Sequence, residues 1–290
     1  MIEPLQFDFF RHALLAATMV GALTGLVGVF IVLRRMSYIG HGMSHAVFGG
    51  AVVGYVAGFN FYLASGLWGF GSALLINQTM RRRQIGADAA IGIVTTASFA
   101  LGVALISRAK SVTRNFDAAL FGNLLGVSST DLWVIAGVLL FTVLVIFFLY
   151  KQILFLTFDA EVAPIYGVPV GWIDTLFALV LAATIIASIR IMGVTLIAAS
   201  LVIPPVTARL LTDRFARMLL LSSAIGALVA GAGMFLSYYL DVASGASIVL
   251  LSAAVFALTL VAVSVRQSLQ TGRSTVALNE LSTTEVEALR

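Results

Sequence analysis

The chain has 290 residues, 60% of them hydrophobic and only 10% charged, with a formal net charge of +4 and a mean hydropathy of +1.06. A soluble domain is about a quarter charged and needs polar groups to cover its surface, so the composition argues against a soluble enzyme, a nucleic-acid binder or a disordered chain and for a membrane protein. With no cysteine present, disulfides, thiolate metal sites and cysteine nucleophiles are ruled out.

A membrane-spanning helix needs roughly 20 mostly apolar residues. Met1 to Phe10 show no cleavable signal pattern. The first expected span runs from Phe9 to Leu33 and stops at Arg34-Arg35. The second covers Tyr38 to Phe59, and the third covers Phe61 to Met80, before Arg81-Arg82-Arg83. The fourth starts at Ala87 and ends before Arg108. A polar stretch, Arg108 to Asp131, encloses a short apolar piece from Phe116 to Gly126. The fifth span is Leu132 to Tyr150, and a second loop is expected from Lys151 to Gly171. A sixth span covers Trp172 to Ile189, and a short seventh covers Gly193 to Ala208. After a basic loop, Arg209 to Arg217, the eighth runs to Leu240, and the ninth is Ala246 to Val265. The expected division is a transmembrane domain over 1–265 and a polar, flexible cytoplasmic tail over 266–290. The fold class is therefore all-α: a polytopic membrane protein of about nine helices, or eight if the seventh re-enters.

Lys and Arg counts set the orientation. With the N-terminus outside and nine crossings, twelve basic residues fall inside and five outside. The positive-inside rule favours that topology, with a cytoplasmic C-terminus. Within the first span, Gly21, Gly25 and Gly28 share one helix face, a small-residue surface that lets helix backbones approach closely in lipid.

Polar groups inside spans are expensive and mark function or pairing. His41 and His45 stand at i and i+4 in Gly40-His41-Gly42-Met43-Ser44-His45, which puts both imidazoles on one helix face. Such a pair suits a borderline divalent cation such as Zn²⁺, or two hydrogen-bonded histidines holding neighbouring helices. No Glu lies between them, so this is not the metalloprotease HExxH pattern. Asp241, after the eighth span, is placed at the outer mouth, either as a cation-attracting group or as a turn residue beside Gly245. Asp131 after Ser128-Ser129-Thr130 reads as a helix cap. The inner loop Phe158-Asp159-Ala160-Glu161-Val162-Ala163-Pro164-Ile165-Tyr166-Gly167-Val168 combines acids with apolar residues. Lipid-surface helices favour basic residues, so a short acidic amphipathic helix points instead to a protein partner. No phosphate-cradling GxxxxGK[ST] is present; if ATP drives the protein, another subunit binds it.

Several stretches taken in order resemble the permeases of metal-ion (zinc, manganese and iron(II)) ABC importers. They are Leu33-Arg34-Arg35-Met36-Ser37-Tyr38 with Gly40 and Ser44-His45-Ala46, Asp88-Ala89-Ala90-Ile91-Gly92-Ile93, Leu120 to Ser128, Phe158-Asp159 to Gly167, Gly193-Val194 to Ile203-Pro204 with Thr207-Ala208-Arg209, and Ser237 to Asp241 with Ser244-Gly245-Ala246. The likeness covers the chain to about Val265. It implies a helical fold similar to the cobalamin and siderophore permeases in a prokaryotic inner membrane, with no resident cofactor. It also implies a homodimeric pore, two cytoplasmic ATPase subunits that bind ATP, and an extracytoplasmic metal-binding protein. His41, His45 and Asp241 would belong to the metal path. Phe158, Asp159, Glu161, Ala163 and Gly167 would lie in the coupling helix that docks into the ATPase. Where the family usually has Asp in Gly-Asp-x-x-Ser-His-Ala, this chain has His41, a softer ligand that leans towards Zn²⁺. Asn123 also stands where Asp is common. The rival reading is an ion-coupled secondary transporter, which would need acids or broken helices at mid-membrane; the span centres are nearly free of charge.

Overall fold

The computed structural model describes residues 3–80, 86–108, 122, 126–159 and 161–288, with side chains to residue 268 and without that of residue 87. Among them there is no strand. After a 3₁₀ turn at Glu3–Gln6 come α1 (Asp8–Leu33), α2 (Ser37–Ala57), α3 (Phe61–Met80), α4 (Ala87–Arg108), α5 (Ser129–Phe148), α6 (Tyr150–Phe158), a 3₁₀ turn at Ala163–Tyr166, α7 (Val170–Met192), α8 (Ile197–Leu211), α9 (Phe215–Leu240) and α10 (Ser244–Ala288). Each of the nine expected spans corresponds to one helix. Six are long and apolar enough to cross a membrane: α1, α4, α5, α7, α9 and the part of α10 to Ser268. Two expected boundaries are corrected. The segment from Lys151 is not loop at first, because α5 gives way to the separate helix α6 after a break at Leu149. The seventh element starts at Ile197, four residues later than expected, because Gly193 leaves the helical region at φ 74°.

Small residues explain how the helices close. A carbon added at Gly21 would lie 2.2 Å from the Gly226 carbonyl oxygen, at Gly25 2.4 Å from that of Ser222, and at Gly28 2.0 Å from that of Leu201. The expected glycine face of α1 is thus its seam with α9 and α8. Ser222 Oγ donates across this seam to the Gly25 carbonyl at 2.6 Å, and Ser223 Oγ to that of Ala22 at 3.1 Å. Lipid offers no hydrophobic drive between helices, so such close packing and interhelical hydrogen bonds supply the association. On α2, Gly49 meets the Ser98 carbonyl of α4, and Gly50 and Gly54 meet Trp68 and Ala64 of α3. With these glycines and the two histidines along it, α2 remains mostly buried.

The bundle has two ends. At one, Phe10 of α1 packs edge-on against Phe235 and Tyr238 of α9. At the other, Phe30 of α1 meets Phe177 of α7 and Phe215 of α9. We call them the Phe10 end and the Arg34 end.

Candidate metal path and docking surface

At the Arg34 end, α1 closes tightly. The Met36 amide donates to the Ile31 carbonyl at 2.9 Å and that of Arg35 to the Val32 carbonyl at 3.2 Å, while Arg35 takes the left-handed conformation at φ 55°. This is the helix-stopping motif that usually carries glycine at the left-handed position. The chain turns within three residues into α2, so His41 and His45 fall in the second and third turns of α2, about 6 and 12 Å from its start at 1.5 Å per residue. Their Nε2 atoms are 3.2 Å apart and their rings meet edge-on at 4.6 Å. Tyr38 stands on the near side of His41 and Phe99 on the far side of His45. His41 is exposed and His45 half-buried, and His45 Nδ1 is buried without a hydrogen-bond partner. Two nitrogens already converged on one point suit a shared proton or a shared cation.

Asp241 is elsewhere. It caps α9 in the left-handed conformation at φ 53° and is exposed beside Phe9, Phe10, Ser237 and Ser244 in a cleft at the Phe10 end. Within one chain the structure therefore brings His41 and His45 together and leaves Asp241 at the opposite end of α1. Among the described residues no three His, Asp or Glu side chains converge.

The segment read as partner-binding lies at the Arg34 end, and its expected short helix is one 3₁₀ turn, Ala163–Tyr166. Asp159 starts it: its carboxylate accepts from the Val162 amide at 3.2 Å and its carbonyl from the Ala163 amide at 3.1 Å. Ala163 is fully buried and seats the turn, whereas Ile165 and Tyr166 are 81% and 74% exposed. Phe158 and Glu161 are exposed as well. Gly167 ends the turn at φ 76°, a conformation that costs an L side chain roughly 1–2 kcal/mol. Large apolar side chains projecting beside acids fit a protein partner.

Two ionic groups escaped the sequence reading. Asp131, expected as a helix cap, is the third residue of α5 and forms a capping box with Ser128 at the cap position, accepting from its amide at 2.8 Å and its hydroxyl at 2.9 Å. It also accepts from Arg190 Nη1 of α7 at 2.5 Å and from the Tyr62 hydroxyl of α3. This knot ties three helices at the Phe10 end, with Arg190 stacked over Phe61. At the Arg34 end, Arg34 pairs with Asp174 of α7 and lies 5.3 Å over the Phe177 ring. The available signal was the presence of Asp174 and Arg190 within otherwise apolar α7, where an unpaired charge would be costly. Asn123 and most of the Arg108 to Asp131 stretch lie outside the described residues.

The chain matches the family model of the ABC 3 transport family over residues 6–263. It is 41% identical to the manganese transport system membrane protein MntC of Halalkalibacterium halodurans over 254 residues, 88% of this chain and 87% of that protein. It is 38% identical to the manganese import system permease protein ScaB of Streptococcus gordonii, with 87% and 90% covered. The structure of PsaBC from Streptococcus pneumoniae in complex with Fab is similar at a TM-score of 0.80 and 37% identity, over 89% of this chain and 93% of that one.

Proposed function

The chain belongs to the ABC 3 transport family and is a permease of the metal ABC importer type, and we propose that its cargo is manganese(II), taken through a path formed by two copies that each contribute His41 and His45. The observation that carries the path is the histidine pair: two Nε2 atoms 3.2 Å apart on one face of α2, between Tyr38 and Phe99. On a single copy the exposed His41 ring would face lipid at a cost; a second copy packed on that face would put the pair on a shared axis. Two ligands per copy hold a cation without the closed four-ligand cage of a structural site, which a path that must release its cargo requires. The manganese assignment follows the names of the relatives. Zinc is the second reading, favoured by the softer His41 in place of Asp.

In this scheme the N-terminus and the Phe10 end face outward, as the basic residues clustered at the Arg34 end support. An extracytoplasmic metal-binding protein delivers cargo there, past Asp241. Two ATPase subunits dock on Phe158 to Gly167, where the exposed Ile165 and Tyr166 offer the apolar contact and Asp159 and Glu161 the charge. ATP is bound and hydrolysed on those subunits.

The test is manganese uptake by proteoliposomes holding the permease, the ATPase and the binding protein, with zinc and iron(II) as competitors. Uptake that needs ATP, and that disappears in the His41→Ala/His45→Ala variant, is expected. Uptake persisting without ATP would favour the secondary transporter, and unchanged uptake by the double variant would remove the histidines from the path.

A further inference from the structure

The docking segment and the histidine pair lie on different parts of the chain, yet one side chain connects them. From the docking turn the path into α7 is short and stiff. Only Gly167, Val168 and Pro169 separate the 3₁₀ turn from α7. The Val168 amide donates back to the Ala163 carbonyl at 3.1 Å, and the Trp172 and Ile173 amides donate to the Pro169 carbonyl at 3.0 and 3.1 Å. Buried Ala163 holds the turn against the core, and Tyr166 packs edge-on against Phe155 of α6. The turn and the start of α7 are therefore one hydrogen-bonded unit.

One turn into α7, Asp174 pairs with Arg34, and a further turn on, Phe177 lies under the same guanidinium. The pair is largely withdrawn from water, with 15% of the Arg34 side chain and 29% of the Asp174 side chain exposed. Arg34 caps α1 and is joined through the left-handed Arg35 and Met36 to α2, so displacing it displaces the start of the helix that carries His41 and His45. Parallel contacts reinforce the path: Asn77 of α3 donates to Thr175 at 2.8 Å, and Arg34, Asp174, Asn77 and Met43 share one small cavity between α2, α3 and α7. A planar guanidinium held by a carboxylate and an aromatic face has one preferred pose, which a point-charge contact would not impose.

We propose that Arg34 is a positioning residue for transport: gripped by Asp174 and Phe177, it passes movement of the docking turn and α7 to the α1–α2 turn and so sets the pose of His41 and His45. The inference rests on the reading of the docking turn and the histidine path given above. It differs from a purely structural role in what it predicts for coupling. Without the grip, ATP is still hydrolysed while the histidine pair no longer moves with it.

The experiment uses the complete importer in proteoliposomes and reads Mn²⁺ uptake per ATP hydrolysed, together with Mn²⁺ binding by the solubilised complex. For Arg34→Gln, and independently for Asp174→Asn, uptake per ATP is expected to fall about tenfold, within the range usual for coupled sites. The double variant Arg34→Asp/Asp174→Arg is expected to recover most of it. A ratio equal to wild type in a correctly assembled Arg34→Gln complex overturns the proposal, as does failure of the charge-reversed pair to recover when both single variants are impaired. Should Arg34→Gln not assemble, Asp174→Asn, which keeps the side-chain shape, carries the same test. His41→Ala/His45→Ala separates the two readings. If that variant still imports Mn²⁺, the histidine path is wrong and the relay falls with it. If it is inactive while the Arg34 and Asp174 variants keep the wild-type ratio, only the relay fails.

Discussion

The knot of Asp131, Arg190, Tyr62 and Ser128 makes an asymmetric prediction. The Asp131 side chain is 2% exposed and that of Arg190 41%. In Arg190→Met the carboxylate stays buried with three donors from Tyr62 and Ser128 but without a counter-charge. Removing one partner of a buried pair costs about 3–4 kcal/mol. In Asp131→Asn the isolated guanidinium is near enough to the surface to hydrate, and the loss is that of weakened charge-assisted hydrogen bonds, about 2 kcal/mol. At about 2 °C per kcal/mol for a chain of this size, Arg190→Met should melt roughly 6–8 °C below wild type and Asp131→Asn about 4 °C below. The double variant leaves no unpaired charge and should melt above Arg190→Met alone. The three tryptophans allow the melts to be followed by intrinsic fluorescence in detergent. The reasoning is refuted if Asp131→Asn is the more damaging change, or if the two losses simply add.

Three further outcomes follow from the geometry. Gly226→Ala places a carbon 2.1 Å from the Gly21 carbonyl oxygen and should cost about 1–3 kcal/mol by overpacking; Gly137→Ala, with nothing within 4 Å, should be neutral or stabilise by up to about 1 kcal/mol. Thermal melts of the two variants separate seam packing from intrinsic helix propensity, and equal melts would discount the seam. Ile165→Asp, on an 81% exposed side chain, should leave the melting temperature of the permease within about 1 °C, since such surface changes stay within roughly 0.5 kcal/mol, and should sharply reduce co-purification of the ATPase. Retained co-purification would move the docking surface elsewhere. His41→Asp should shift competition uptake from zinc towards manganese on ligand softness, measured as the ratio of inhibitory concentrations; an unchanged ratio would take His41 out of selectivity.

Most of the fold was legible because lipid constrains helices through length and apolarity alone, and the ends of α1, α3 and α4 fall within a residue or so of where the charges put them. The loop assigned from Lys151 failed because a break at Leu149 followed by helix leaves no glycine or proline to announce it. The histidine pair was legible through its i, i+4 spacing, which any helix converts into contact. The grouping of Tyr62, Asp131 and Arg190, and that of Arg34 with Asp174, was not, because each joins residues at least 59 positions apart and depends on which helices lie side by side. A single charge in an apolar stretch signals that a partner exists; only the three-dimensional arrangement identifies it.

The short α8 has a consequence for how this protein should be mutated. Its 15 residues span about 22 Å at 1.5 Å per residue, less than the roughly 30 Å hydrocarbon layer. The stretch before it, Gly193 to Leu196, is non-helical backbone whose Val194 is fully buried. Against the end of α7, at Ile191 and Met192, lies Gly122, so close that one added carbon would sit 2.1 Å from the Ile191 carbonyl oxygen. Peptide backbone therefore fills this region where another membrane protein would use side chains. In an alanine scan the telling change here is therefore one that adds atoms: the single methyl group that Gly122→Ala grafts on would be felt at once.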